Sequence, residues 1–293
     1  MTPTDRSAAT DRSGPTTREP FGARLHRAVR EKGPLCVGID PHPSLLKDWG
    51  LPDDRHGLER FARAVVEALA DLVAVLKPQS AFFERHGSAG IAVLERVVGD
   101  IRAAGGLTLM DGKRGDIGST VQAYADAYAD PSSALGSDAM TASPYLGFES
   151  LRPLLNTAVR HGNGVFVLAL TSNPEGAHLQ RARTADGATV AGAVLAAVRR
   201  QNAETTPWGS VGVVVGATIG AVEEDLDVNG PILAPGYGAQ GGTPADLRRT
   251  FGATLANVLP STSRDVLRHG PDARRLRTAA ARAQDAVRAV TAR

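Results

Sequence analysis

A chain of 293 residues, 42% hydrophobic and 22% charged, has ample material for a packed core, which excludes disorder throughout; its length suits two domains or one α/β barrel of about 250 residues. Thirty-three basic against thirty-one acidic side chains leave a net charge of +2, too small a surplus to make nucleic acid or an anionic membrane the main partner. The single cysteine, Cys36, excludes an internal disulfide and a multi-cysteine zinc site, and fits a reducing compartment.

The first twenty residues are rich in Thr, Ser, Asp, Arg and Pro with no apolar period, which predicts a solvated tail over 1–20 ahead of one barrel domain over 21–293. Asp5, Asp11 and Glu19 and the lack of an apolar stretch argue against a signal peptide. Nowhere does the chain hold the roughly 18 uninterrupted apolar residues of a membrane span. A soluble, cytoplasmic protein is expected.

From Phe21 onward, short runs rich in Val, Ile and Leu alternate with longer Ala/Arg-rich stretches of helical period. Strands are expected at 35–40, 72–77, 107–111, 138–143, 165–170, 211–216, 232–235 and 254–259. Helices are expected between them, among others at 57–71, 91–104, 121–128, 147–161, 189–202 and 246–251. The strands are apolar throughout, as parallel strands buried on both faces are. Eight such units without a break in composition predict a single closed (β/α)8 barrel, an α/β TIM-type fold. The polar segment 173–187 reads as a mobile excursion near one barrel mouth. Trp49 and Trp208 read as core or loop anchors.

Chemistry in such a barrel gathers at the C-terminal ends of the strands. The first expected strand ends at Asp40 and the second at Lys77; the third runs into Asp111-Gly112-Lys113-Arg114-Gly115-Asp116. Only four of the thirty-three basic residues are lysine (Lys32, Lys47, Lys77 and Lys113), and two of these stand at strand ends. Arginine keeps its proton at any accessible pH whereas lysine can release one, so the choice of lysine here points to proton transfer or close fit. Residues i and i+2 of a strand share a face, which aims Asp111 and Lys113 together at the mouth. Ser119-Thr120-Val121-Gln122 matches a capping box and places Asp116 and Thr120 on a protruding loop. The same residue types also compose ordinary solvated turns. The company of Asp40 and Lys77 favours the site, because alternating carboxylates and ammonium groups compensate one another once water is excluded. Glu84 and His86 stand where they either edge this site or serve packing.

After the seventh strand, Gly236, Gly238 and Gly241 form a glycine-rich loop, and Thr243 with Pro244 opens a helix. A phosphate site after strands seven and eight suits this better than a dinucleotide site, which belongs in the first βα turn. Arg264, at the expected end of strand eight, offers a fork of donors to the same anion. Phosphate-loop, serine-elbow and H-E-x-x-H motifs are absent, and the histidines have no ligand spacing, so a required zinc is not expected.

Taken together, Val37-Gly38-Ile39-Asp40-Pro41, Lys77 through Glu84, Asp111 through Thr120, Thr171-Ser172-Asn173-Pro174 and Pro235 through Gly242 resemble the orotidine 5′-phosphate decarboxylase family, and within it the bacterial type 2 branch. The resemblance runs through nearly all of the chain after Phe21. It implies a carboxy-lyase that turns orotidine 5′-monophosphate into uridine 5′-monophosphate and carbon dioxide in pyrimidine synthesis, without a cofactor. It implies a charged network of Lys77, Asp111, Lys113 and Asp116, and a homodimer in which Asp116 and Thr120 cross into the partner's site. It further implies that Asp40 holds ribose hydroxyls, Ser172 the pyrimidine, and Gln240, Gly241 and Arg264 the phosphate. Ile117 and Pro235 would form an apolar wall for the departing gas. Two alternatives stay open at the level of residues: a magnesium-dependent decarboxylase or synthase of the same superfamily, and a phosphometabolite-binding regulator.

Overall fold

The computed structural model describes residues 18–291. Eight parallel strands close in chain order: β1 (Cys36–Ile39), β2 (Val75–Pro78), β3 (Leu107–Arg114), β4 (Ala139–Ala142), β5 (Gly164–Leu170), β6 (Val211–Val215), β7 (Ile232–Pro235) and β8 (Val258–Thr262), which returns to pair with β1. The expected barrel is the fold. No helix among the described residues is long and apolar enough to cross a membrane.

The apolar strands divide their side chains by the period of two. Val75, Leu109, Ala139, Phe166, Val214, Leu233 and Leu259 point inward and form the barrel core. Their neighbours, such as Leu76, Met110, Met140 and Val167, point outward against the ring of helices. One step further along the inward faces the residue types change. Lys77 follows Val75, Asp111 follows Leu109, Thr141 follows Ala139, Pro235 follows Leu233 and Ser261 follows Leu259, and all five line a cavity at the C-terminal mouth. Strand periodicity therefore converts a hydrophobic floor into a polar site within one layer.

The opposite end is sealed by the helix Phe21–Lys32. The Phe21 ring is 1% exposed and meets Phe166 edge-on, with centroids 6.0 Å apart. Arg18 and Arg24 both donate to Asp138 Oδ1, at 2.6 and 2.5 Å, while Asp138 Oδ2 accepts from the Thr108 backbone at 2.9 Å. The tail expected over 1–20 lies outside the described residues as far as 17; Arg18, its neighbour, is tied to the barrel floor. A Cβ at Gly164 would fall 2.2 Å from the Phe21 ring. Gly164→Ala is therefore expected to lower stability by about 1–3 kcal/mol in denaturant titrations; an unchanged midpoint would show that the seal yields freely.

Two expected elements are corrected. The strand expected over 254–259 starts only at Val258, because Gly252 ends the preceding helix at φ 45° and Gly252–Asn257 forms a 3₁₀ turn in which Thr254 Oγ1 donates to the Phe251 carbonyl. The capping box expected at Ser119–Gln122 is not made. The helix begins earlier, at Gly118, with Ile117 at its N-cap and no side-chain cap, so Ser119 and Thr120 lie inside its first turn. Trp49 and Trp208 are anchors as expected: both are buried, and their indole N–H groups donate to the Leu267 carbonyl and to Asn257 Oδ1.

Candidate active site

A cavity of about 460 Å³ opens at the C-terminal mouth, a size suited to a small metabolite. Its floor holds a carboxylate shared between two ammonium groups. Lys77 Nζ donates to Asp111 Oδ2 at 2.8 Å and Lys113 Nζ to Asp111 Oδ1 at 2.5 Å. Lys77 and Asp111 are 5% and 9% exposed, whereas the Lys113 side chain, which also lines the cavity, is 45% exposed. Burial by itself would push Asp111 up, but the two ammonium groups outweigh it and hold the carboxyl below the usual carboxylate range. Burial would likewise lower Lys77; Asp111 and Asp40 reverse that and hold its ammonium above the ordinary lysine value. Both groups of this pair are thus fixed in the charged form.

The backbone beneath this pair is not regular. The pairing of β3 with β4 shifts between Met110 and Arg114, and Lys113 adopts φ +47°, a left-handed conformation that few non-glycine residues take. Asp111 and Lys113 do meet as their spacing implies, through a bulge and not through plain alternation. Thr141 of β4 completes the arrangement: its hydroxyl donates to Asp111 Oδ1 at 2.9 Å and accepts from the Lys113 backbone N–H at 2.9 Å. The Gln79 amide nitrogen, turned toward Asp111, lies 2.6 Å from its carbonyl oxygen and 3.1 Å from Oδ2. Neither Thr141 nor Gln79 stands out in the sequence; the available signal was their place level with Asp111 on neighbouring strands.

Asp40, Ser172, Pro235, Gln240 and Arg264 also face the cavity. Asp40 Oδ1 is buried and has no hydrogen-bond partner among the described residues, which leaves an acceptor free at the cavity wall. Arg264 opens the helix Arg264–Leu267, two residues beyond the end of β8 at Thr262. In the glycine-rich loop, Gly238 has φ +82° and a Cβ there would sit 2.0 Å from Asp265 Oδ2, so only glycine fits. The amides of Gly238, Gly241 and Gly242 donate to carbonyls within the loop, which turns Ala239 and Gln240 into the cavity and leaves Gly241 outside its lining. The helix Pro244–Phe251 has Thr243 as N-cap, as expected, but its capping box brings the Asp246 carboxylate to that terminus, and neither residue lines the cavity. The helix end expected to hold an anion thus stands outside the cavity, whereas the Gln240 and Arg264 side chains line it.

Asp116, Ile117 and Thr120 do not line their own chain's cavity. Asp116 accepts from the Ile117 N–H at 2.8 Å, and Ile117 is 62% exposed. The loop is fixed from behind: a Cβ at Gly115 would meet the Ser143 carbonyl at 2.3 Å, and the Arg114 guanidinium pairs with Glu84 Oε1 while lying 5.6 and 5.8 Å from the Tyr124 and Tyr128 ring centres. Glu84 thus serves packing, and His86, 3.7 Å from Asp53, is likewise away from the cavity. Cys36 is buried under the network and its thiol is pushed up to about 12, chiefly by burial, which makes it an inert core residue.

The sequence profile of the orotidine 5′-phosphate decarboxylase / HUMPS family matches residues 33–279. An orotidine 5′-phosphate decarboxylase of a Nocardioides species is 66% identical over 260 residues, 87% of this chain and 95% of that protein. Its counterpart in Streptomyces coelicolor is 62% identical over 276 residues, 94% and 99% of the two chains. A crystal structure from Streptomyces avermitilis, of a protein assigned as an orotidine 5′-phosphate decarboxylase, superposes with a TM-score of 0.93 at 61% identity and covers 95% of this chain and 98% of its own. The orotidine monophosphate decarboxylase of Leishmania donovani gives a TM-score of 0.71 at 29% identity, over 94% and 99%.

Proposed function

The chain belongs to the orotidine 5′-phosphate decarboxylase family and converts orotidine 5′-monophosphate to uridine 5′-monophosphate and carbon dioxide, and we propose that Lys113 is the group that stabilises and then protonates the reacting carbon. Breaking the C6–carboxylate bond leaves its electron pair at C6, orthogonal to the ring π system and without a conventional electron sink. An ammonium beside C6 lowers the energy of that charge and then delivers a proton to it, giving the C6–H bond of the product. The observation that carries this reading is the Asp111 carboxylate held between Lys77 and Lys113, with Lys113 the member open to the cavity. Asp111 faces the substrate carboxylate and fixes Lys113 in place. A decrease in pyrimidine absorbance on adding orotidine 5′-monophosphate tests the activity directly.

The remaining cavity residues divide the substrate among them. Asp40, with its unpartnered oxygen, accepts from a ribose hydroxyl and the Lys77 ammonium donates to one; Ser172 meets the pyrimidine; Gln240 and Arg264 hold the phosphate; Pro235 offers an apolar wall. Phosphate binding lies far from the breaking bond, yet its energy organises and dries the site. Orotidine, lacking the phosphate, is therefore expected to lose kcat as well as to raise KM, and Arg264→Ala is expected to weaken kcat/KM by roughly 10²–10³-fold, about the loss of one charge-assisted contact and its ordering effect. A nucleoside with the full kcat would remove this role of the phosphate.

The positions of Asp116, Ile117 and Thr120 support a homodimer with shared sites. Asp116 and Ile117 stand on the loop before the helix and Thr120 in its first turn, and Ile117, Tyr145 and Leu146 are exposed at 62%, 74% and 53%, apolar surface suited to a second copy. In that dimer Asp116 and Thr120 would enter the partner's cavity and Ile117 would line its apolar wall. Mixed dimers of Asp116→Ala and Lys113→Ala subunits are then expected to regain up to about half the activity of the wild-type dimer, because one of the two sites receives both native residues and the other neither. Inactive mixed dimers of demonstrated composition would argue for self-contained sites.

A further inference from the structure

We propose that Thr141 is a positioning residue for the decarboxylation: one hydroxyl ties the Asp111 carboxylate to the Lys113 backbone and so sets where the Lys113 ammonium points. This rests on the reading of Lys113 as the proton donor. Thr141 is 1% exposed on the inward face of β4, level with Asp111 on β3. The direction of both its hydrogen bonds is forced. A carboxylate only accepts and a backbone N–H only donates, so the hydroxyl proton goes to Asp111 Oδ1 and an oxygen lone pair to the Lys113 N–H, each at 2.9 Å.

The bulge explains why this tie is needed. Between Met110 and Arg114 the β3–β4 ladder loses register, and the Lys113 N–H finds its acceptor in a side chain of the neighbouring strand. That acceptor holds Lys113 at φ +47°, from which its ammonium reaches back 2.5 Å to the same Asp111 oxygen that Thr141 contacts. Backbone, carboxylate and ammonium thus form a closed ring with Thr141 as the link that joins the two strands. A side chain of the same shape without the hydroxyl breaks the ring at both bonds. The Lys113 N–H would then lose its partner on β4 and no longer hold the backbone in this conformation, which displaces Nζ; misplacement by about 1 Å costs on the order of 10²-fold in rate.

The test compares Thr141→Val, Thr141→Ala and Thr141→Ser. Valine keeps the volume and loses the hydroxyl; alanine also loses it without crowding the carboxylate; serine retains it. Valine and alanine are each expected to lower kcat by roughly 10–100-fold with the affinity for uridine 5′-monophosphate within about 3-fold of wild type, whereas serine keeps kcat within about 5-fold. The proposal is overturned by native kcat in valine or alanine, by a serine variant as slow as valine, or by parallel losses of kcat and nucleotide affinity in both hydroxyl-free variants, which would mark general loosening of the site. The Lys113→Ala enzyme, assayed in parallel, separates the two readings. An active Lys113→Ala enzyme removes the proton-donor premise and the proposal with it; an inactive one beside fully active Thr141→Val removes the tie alone.

Discussion

Replacement of Lys113 by alanine is expected to lower kcat by roughly 10⁴-fold or more, the combined loss of a proton donor worth about 10²–10⁴ and an electrostatic contact worth about 10²–10³. The protein should remain folded. The Lys113 side chain is 45% exposed, and its removal leaves Asp111 bonded to Lys77 and Thr141. Single-turnover rates with saturating orotidine 5′-monophosphate, paired with a thermal melt, separate the two effects. A Lys113→Ala rate within about tenfold of wild type would transfer the chemistry to another group, since no single donor of this kind is worth so little.

The second large effect concerns Asp111, whose loss is felt in both turnover and stability. Asp111→Asn leaves the Lys77 ammonium, 5% exposed, without its main counter-charge, and breaking such a buried pair costs about 3–5 kcal/mol. The pH dependence gives this a signature. In the native protein Asp111 is depressed, so its contribution is present above the unfolded carboxyl value near 4 and lost only as pH falls through its lower folded value; Lys77 is raised, so its contribution is present below about 10 and lost as pH rises beyond. Between these limits the pair adds a constant stabilisation. In Asp111→Asn, burial of Lys77 is opposed only by the more weakly acting Asp40, and stability should rise as pH climbs from 7 toward 10 and the amine sheds its charge. Denaturant unfolding at several pH values measures this slope, and a flat profile would mean that water reaches Lys77. Lys77→Met combined with Asp111→Asn should recover most of the stability while remaining inactive, because two neutral groups no longer demand compensation.

Much of this site could be read from the chain because strand periodicity extends past the core. Asp40, Lys77 and Asp111 announce themselves as charged residues ending apolar runs, and lysine among arginines marks Lys77 and Lys113 as chosen for chemistry. Thr141 was invisible for the opposite reason: a threonine in an apolar strand reads as a β-branched filler, and only its register with Asp111 shows its hydroxyl at work. The left-handed Lys113 also escaped, since alternation alone already brought the two side chains together and concealed the bulge that achieves it. The eighth strand was displaced because Thr254 and Leu255 have strand-like composition, whereas the turn that claims them depends on Gly252 and on a hydroxyl bond to Phe251. The glycine-rich loop suggested backbone donors for phosphate; the amides of Gly238, Gly241 and Gly242 instead hold the loop's own shape, a use of glycine that composition does not distinguish from anion binding.

The Phe21 stopper makes the barrel a cup with a single doorway. Traffic in and out would then share one lip, and under the binding roles proposed above carbon dioxide, uncharged and untethered, would leave first and uridine 5′-monophosphate last. On that reading, the firmness with which the cup holds its finished nucleotide would set a ceiling on how fast it can be refilled.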